Sequence, residues 1–176
     1  GARPGDLVYV TGVLGNAGIG LRMIENQEFG RELTSEAAAQ LNRCYYAPIP
    51  RVEFGKRIKA VTSCIDISDG LLADLGHIAG QSRVGMSIRQ AAIPVSAAAI
   101  QLLGKAQAQN FALSCGDDYE LAFTVPAAQV AVMEKAAAET GTIVTCIGKV
   151  TEGDSLICLD AEDKPVTVGV SGYQHF

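Results

Sequence analysis

Five consecutive residues, Asp66-Ile67-Ser68-Asp69-Gly70, set two carboxylates and a hydroxyl between an apolar run, Ala60 to Ile65, and a helically spaced segment, Leu71 to Ile78. A strand giving way to a helix at that point presents amide N–H groups and the positive end of the helix dipole, both of which favour an anion such as phosphate. Hard carboxylate oxygens beside that anion suit Mg²⁺ or its water shell. Asp66 closes an apolar strand, and alternation puts it on the same face as Ser68. A carboxylate there needs a cation, a donor or solvent. Helix capping by Ser68 or Asp69 is the alternative reading. The spacing excludes an EF-hand, since no glutamate closes the loop at its twelfth position.

A second acidic group, Cys115-Gly116-Asp117-Asp118-Tyr119-Glu120, precedes another apolar run, Leu121 to Val125. It reads as a ligand loop or as an ordinary acidic turn. Gly12 to Gly20 is glycine-rich but is neither GxGxxG nor a Walker A sequence, because no Lys-Ser/Thr follows. Its glycines either cradle phosphate with backbone amides or allow a helix to pack closely. Asp74 and His77 share a helix face and read as a satisfied surface pair rather than a metal site. The tail Gly172-Tyr173-Gln174-His175-Phe176 either docks on the core or walls a pocket by stacking on a flat ligand.

These groups need elements to hold them. Leu7–Thr11 follows a Pro-Gly-Asp turn and is rich in β formers, so it reads as a strand. Residues 21–25 read as a helix after the glycine run. Thr34 or Ser35 caps a helix through Ala37, Ala38, Leu41 and Cys44 that must end before Pro48. A strand over 60–67 leads into a helix over 70–80 with apolar residues at 71, 72, 75, 78 and 79. Further strands are expected at 85–89, 121–125, 142–149 and 155–159, and a short one near 166–168. Helices are expected from Pro94 to about Leu103 and from Pro126 to about Glu139. Helices alternate with strands early and strands cluster late, which points to an α+β fold with a mixed sheet covered by helices.

The chain has 176 residues, 48% of them apolar, enough for one packed domain. A net charge of −5, without runs of like charge, argues against nucleic acid or an anionic membrane as partner. No stretch approaches the roughly 20 apolar residues of a membrane-spanning helix, and no signal peptide is visible. The cysteines number five, with no CxxC pair, which reads as reduced thiols of a cytoplasmic protein. The chain starts at Gly1 without methionine, consistent with a domain cut from a longer protein.

Taken together, Gly5-Asp6-Leu7-Val8-Tyr9-Val10-Thr11-Gly12, Ile65-Asp66-Ile67-Ser68-Asp69-Gly70-Leu71, Asp74-Leu75-Gly76-His77-Ile78, Gly116-Asp117-Asp118-Tyr119-Glu120-Leu121 and the aromatic tail resemble the C-terminal domain of the thiamine-monophosphate kinase family. That family sits in the aminoimidazole-ribonucleotide and selenophosphate synthetase superfamily. The resemblance implies Mg²⁺-dependent transfer of the ATP γ-phosphoryl to thiamine monophosphate by direct in-line attack, with catalysis by positioning and charge neutralisation. It implies Asp66 and Asp69 as magnesium ligands, Ser68 as an ATP contact, and Asp117 and Tyr173 as substrate contacts, and it leaves His77 and Glu120 without a role. It further implies that residues 1–176 are the C-terminal domain of a two-domain kinase. The N-terminal domain would supply the remaining metal ligands and a homodimer interface, so the chain alone is expected to be inactive. The sequence departs from the family at the glycine run, where Gly15-Asn16-Ala17-Gly18 replaces an Asp-Ser-Ala-Ala-like run, at Cys115 in place of glycine, and at Gln174 in place of aspartate. Another synthetase of the superfamily, or a non-catalytic nucleotide or thiamine-phosphate binding module, are the rival readings.

Overall fold

The structure, a computed structural model, describes residues 1–166. In chain order its regular elements are β1 (Leu7–Thr11), α1 (Asn16–Glu25), α2 (Ser35–Tyr46), α3 (Val52–Arg57), β2 (Ser63–Asp66), α4 (Leu71–Ser82), β3 (Gly85–Arg89), α5 (Ala97–Leu103), α6 (Lys105–Ser114), β4 (Leu121–Val125), α7 (Val130–Glu139), β5 (Val144–Thr151) and β6 (Leu156–Leu159). The strands form one sheet in the order β2-β4-β1-β5-β3-β6. All neighbours are antiparallel except β3 and β6. This is the mixed sheet with helical cover expected from the sequence.

Alternation along the strands sorts side chains onto two faces. Val8, Val10, Ala122, Met86, Ile88 and Ile147 bury against Leu71, Leu75, Ile78 and Ala79 of α4 and Ala112 and Leu113 of α6. Those α4 positions fall at i, i+4, i+7 and i+8, one stripe of a helix. The opposite face carries Tyr9, Phe123 and Val125 under Phe54 of α3 and Met133, Ala136 and Ala137 of α7. Tyr9 and Phe123, directly paired across β1 and β4, stack with ring centroids 5.8 Å apart. A third, smaller core joins α1, α2, α5 and α6 through Ile19, Leu41, Ala99 and Ala108.

Local chemistry sets the element ends. The Thr34 hydroxyl accepts the Ala37 amide at 3.2 Å and starts α2, and Ser96 does the same for α5 with the Ala99 amide at 3.1 Å. The strand expected over 60–67 is shorter, Ser63–Asp66. Three helices differ from expectation. α1 begins at Asn16, inside the glycine run; α3 and α6 were not foreseen. Of the strand expected near 166–168, Val166 is described, its amide bonded to the Cys158 carbonyl at 2.8 Å; residues 167 and 168 lie outside the described residues.

Candidate active site

β2 ends the sheet among the described residues, and its partner β4 brings the two acidic segments together. The ladder ends with Asp66 opposite Leu121, yet the backbone pairing continues into the loops. The Ile67 amide bonds the Glu120 carbonyl at 2.8 Å, Tyr119 bonds Ile67 at 2.9 Å, and Asp117 bonds Ser68 at 3.0 Å. Gly116 makes the last of these approaches possible, since a Cβ there would stand 2.2 Å from the Ser68 carbonyl oxygen. Asp117 and Tyr119 take left-handed backbone, at φ 66 and 49. Aspartate tolerates that region, whereas for tyrosine it is a strained conformation of the kind that clusters at functional sites.

The joined loops form one wall of a cleft of about 740 Å³, with Ser68, Asp69, Cys115 and Asp117 on that wall and Tyr45 and Phe111 from α2 and α6 among the residues facing them. Asp66 stands exposed at the end of β2 and does not line this cleft. Ile67 is buried between an exposed Asp66 and a half-buried Ser68, and of these two acidic-loop residues Ser68 lines the cleft. Tyr173 lies outside the described residues. The donor set fits a hard divalent ion. Among the described residues no lysine or arginine ion-pairs with Asp66, Asp69 or Asp117, so carboxylate oxygens are left for Mg²⁺. Cys115 is not suited to it: burial, then Asp118 and Asp117, push its thiol up to about 12, so it stays protonated.

The acidic loop owes its shape to Asp74. This residue is 2% exposed, and its Oδ2 accepts the amides of Ser68, Asp69 and Gly70 at 3.1, 3.2 and 3.2 Å. Burial pushes its carboxyl up, against the pull of those three bonds. The surface pair expected for Asp74 and His77 is thus corrected: only His77 is exposed, and the aspartate is turned inward onto the loop. Asp69, Asp74 and His77 each place one donor atom within 4.8 Å of the others.

The family described as AIR synthase related protein, C-terminal domain, matches residues 3–160. The chain belongs to this family. Thiamine-monophosphate kinase of Escherichia coli (strain K12) is 38% identical over 177 residues, covering 100% of this chain and 54% of that protein. The crystal structure of thiamine-monophosphate kinase from Stenotrophomonas maltophilia K279a matches with a TM-score of 0.83 at 35% identity, over 94% of this chain and 52% of that one. The solved structure of AaThiL complexed with AMPPCP and TMP matches with a TM-score of 0.80 at 31% identity, over 100% of this chain and 53% of that one. The chain thus spans about half the length of the curated relatives it matches. The kinship expected from the scattered motifs and the expected fold are both met.

In this AIR synthase related domain the glycine run is no open phosphate cradle. Asp118 occupies the start of α1, accepting the Gly15 amide at 2.6 Å and the Ala17 amide at 3.3 Å. Burial pushes the Asp118 carboxyl up to about 7, while the two amides pull it down. The glycines inside α1 serve close packing. A Cβ on Gly18 would lie 1.7 Å from Cys115 Sγ, and one on Gly20 would lie 2.5 Å from the Leu41 carbonyl oxygen.

Glu120, left without a role by the sequence, is a buried junction. It accepts the Thr11 hydroxyl at 2.6 Å and both Arg51 nitrogens. Arg51, Glu120 and Asp118 line a second cavity of about 400 Å³ beside Cys44 and Ile49. Sequence reasoning missed Arg51 entirely. The usable signal was Glu120 itself, an acid at the mouth of an apolar strand, which requires a cation nearby.

Proposed function

We propose that the chain is the C-terminal domain of a two-domain, cytoplasmic kinase that transfers the ATP γ-phosphoryl to thiamine monophosphate, giving thiamine diphosphate. The observation that carries this reading is the fastening of the two acidic loops into one cleft wall, with Ser68, Asp69 and Asp117 on it and no basic side chain among the described residues neutralising the carboxylates. The names of the relatives, and a relative solved with AMPPCP and TMP, support the choice of nucleotide and acceptor.

In this reading Asp69 and Asp66 hold Mg²⁺, which supplies charge neutralisation on the transferring phosphoryl group. Ser68 offers a hydroxyl to the nucleotide phosphates. Asp117, fixed by its amide bond to Ser68, contacts the acceptor, and Tyr173 lines the thiamine side. The chain's own contribution is to hold donor and acceptor in line and to fix the oxygens around them, which is most of what phosphoryl transfer asks of a protein. An N-terminal domain supplies the remaining metal ligands and a homodimer interface, so residues 1–176 alone have no turnover.

The test is a coupled assay of the intact protein with ATP, Mg²⁺ and thiamine monophosphate. Formation of thiamine diphosphate, with a raised Mg²⁺ requirement in Asp69→Asn, supports the proposal. Consumption of ATP only with a different acceptor would replace the substrate, and nucleotide binding without turnover would replace the kinase by a binding module. Turnover by residues 1–176 alone would refute the need for the second domain.

A further inference from the structure

The residue that shapes the acidic loop does not itself line the cleft. Asp74 lies in the first turn of α4, 2% exposed. Three consecutive amides, of Ser68, Asp69 and Gly70, converge on its single oxygen Oδ2 at 3.1–3.2 Å. Such a run of N–H groups at a helix start is a ready anion seat, and here a side chain of the same helix fills it. Gly70 completes the arrangement. Its backbone, φ 119 and ψ 146, belongs to a region open essentially to glycine alone. A Cβ there would also stand 2.8 Å from the Ser114 carbonyl oxygen.

Two consequences follow from this geometry. The loop amides at 68–70 are committed to Asp74, so an incoming phosphate must be held by side chains and metal rather than by the helix start. The loop is also pinned from both sides. Asp74 holds its amides, while the Asp117 amide holds the Ser68 carbonyl at 3.0 Å. Of this loop, Ser68 and Asp69 line the cleft.

We infer that Asp74 is a positioning residue: by gathering the amides of residues 68–70 it fixes the Asp69 carboxylate on the cleft wall and so sets the loop's affinity for a divalent cation. This rests on the reading of Asp69 as a metal ligand. Groups that hold a ligand in place from behind typically change metal affinity by roughly 10- to 100-fold when removed.

The experiment compares the intact protein with Asp74→Ala and Asp74→Asn by two measurements that need no turnover. One is amide hydrogen exchange across residues 66–71. The other is Mn²⁺ binding followed by electron paramagnetic resonance. Asp74→Ala is expected to lose protection at 68–70 and to bind Mn²⁺ roughly 10- to 100-fold more weakly. Asp74→Asn keeps an oxygen acceptor for the amides and is expected to retain most of the protection, with affinity within about threefold of wild type. Should Asp74→Ala fail to fold, Asp74→Ser, whose shorter side chain does not reach all three amides, is read in its place. Unchanged Mn²⁺ affinity in Asp74→Ala overturns the inference. So does an Asp74→Asn protein whose loop stays protected while affinity collapses, because charge rather than positioning would then be the cause. Wild type that binds no Mn²⁺ removes the metal reading and this inference together. Wild type that binds Mn²⁺ and makes no thiamine diphosphate removes only the proposed reaction.

Discussion

Arg51 grips both oxygens of Glu120, with Nε 2.7 Å from Oε2 and Nη2 2.5 Å from Oε1, across 69 residues of sequence. The same Oε2 accepts the Thr11 hydroxyl at 2.6 Å, and the Thr11 oxygen in turn accepts the Leu121 amide at 2.8 Å. Gly12 follows at φ 59, where a Cβ would stand 2.1 Å from Glu120 Oε1. The end of β1, the start of β4 and the entry to α3 are therefore locked around one carboxylate. That lock lies at the root of the 115–120 loop.

Arg51→Ala leaves that carboxylate, among the described residues, with the Thr11 hydroxyl as its side-chain partner. Removing one member of a buried pair typically costs about 3–5 kcal/mol. The Arg51 side chain is 28% exposed, so water takes up part of the loss and the expected cost is about 3 kcal/mol, read by urea unfolding. Arg51→Lys should recover less than half of it, since an ammonium lacks the two-pronged geometry. A midpoint equal to wild type for Arg51→Ala would show that the pair is not holding the loop.

Gly18 and Cys115 test the packing role of the glycine run. Gly18→Ala drives a methyl into Cys115 Sγ and should cost about 1–3 kcal/mol by overpacking. Cys115→Ala removes the sulfur. The double variant is expected to recover at least about 0.5 kcal/mol relative to the sum of the single changes, the signature of direct contact. Strict additivity in thermal or urea unfolding would place the two residues apart. Were the run a phosphate cradle, Gly18→Ala would instead weaken nucleotide binding and leave stability untouched.

Much of this was legible in the sequence, and the failures share a cause. Alternating apolar runs marked β1, β3 and β4 at their observed ends, and the stripe of Leu71, Leu75, Ile78 and Ala79 marked α4. Thr34 announced α2. The start of α1 was hidden because Gly15, Gly18 and Gly20 look like loop in sequence, whereas here Gly18 and Gly20 are demanded by the closeness of Cys115 and Leu41. No local pattern reports a neighbour 97 residues away. α6 was missed because its buried residues, Ala108, Gln109, Ala112 and Leu113, include few large apolar side chains. In the site, residue types exposed the two acidic loops and helical spacing exposed Asp74. Inwardness was not readable for Asp74 and Asp118, which look like surface charges and accept backbone amides, whereas Glu120 at the mouth of an apolar strand signalled a partner.

Asp118 supplies a pH dependence with a defined sign. Its folded value of about 7 lies above the ordinary 3.8, so the folded protein holds this proton where the unfolded chain has released it. The contribution to stability is full below 3.8 and is lost as pH rises toward about 7. Subtracting Asp118→Asn from wild type isolates it. The stability difference, measured by urea unfolding at a series of pH values, should fall across that window and level off above it. A difference that rises with pH would mean that the Gly15 and Ala17 amides outweigh burial at this carboxylate.

The two acidic loops should separate kinetically if they divide metal from acceptor. Asp69 belongs to the loop that Asp74 holds, and Asp117 to the loop that carries the acceptor contact. In the intact protein, Asp69→Asn is expected to raise the Mg²⁺ concentration for half-maximal rate by at least about tenfold, with the KM for thiamine monophosphate within about twofold. Asp66→Asn should move the same parameter, though Asp66 sits outside the cleft wall, and an unchanged Mg²⁺ requirement there would remove it from the ligand set. Asp117→Asn is expected to raise the acceptor KM about tenfold, the worth of one charged hydrogen bond, and to leave the Mg²⁺ requirement alone. Because the Asp117 amide is bonded to the Ser68 carbonyl, a backbone disturbance could travel between the loops. Hydrogen exchange over residues 66–71 distinguishes that case. If protection there is intact and both variants still shift the same parameter, metal and acceptor are not divided between the loops.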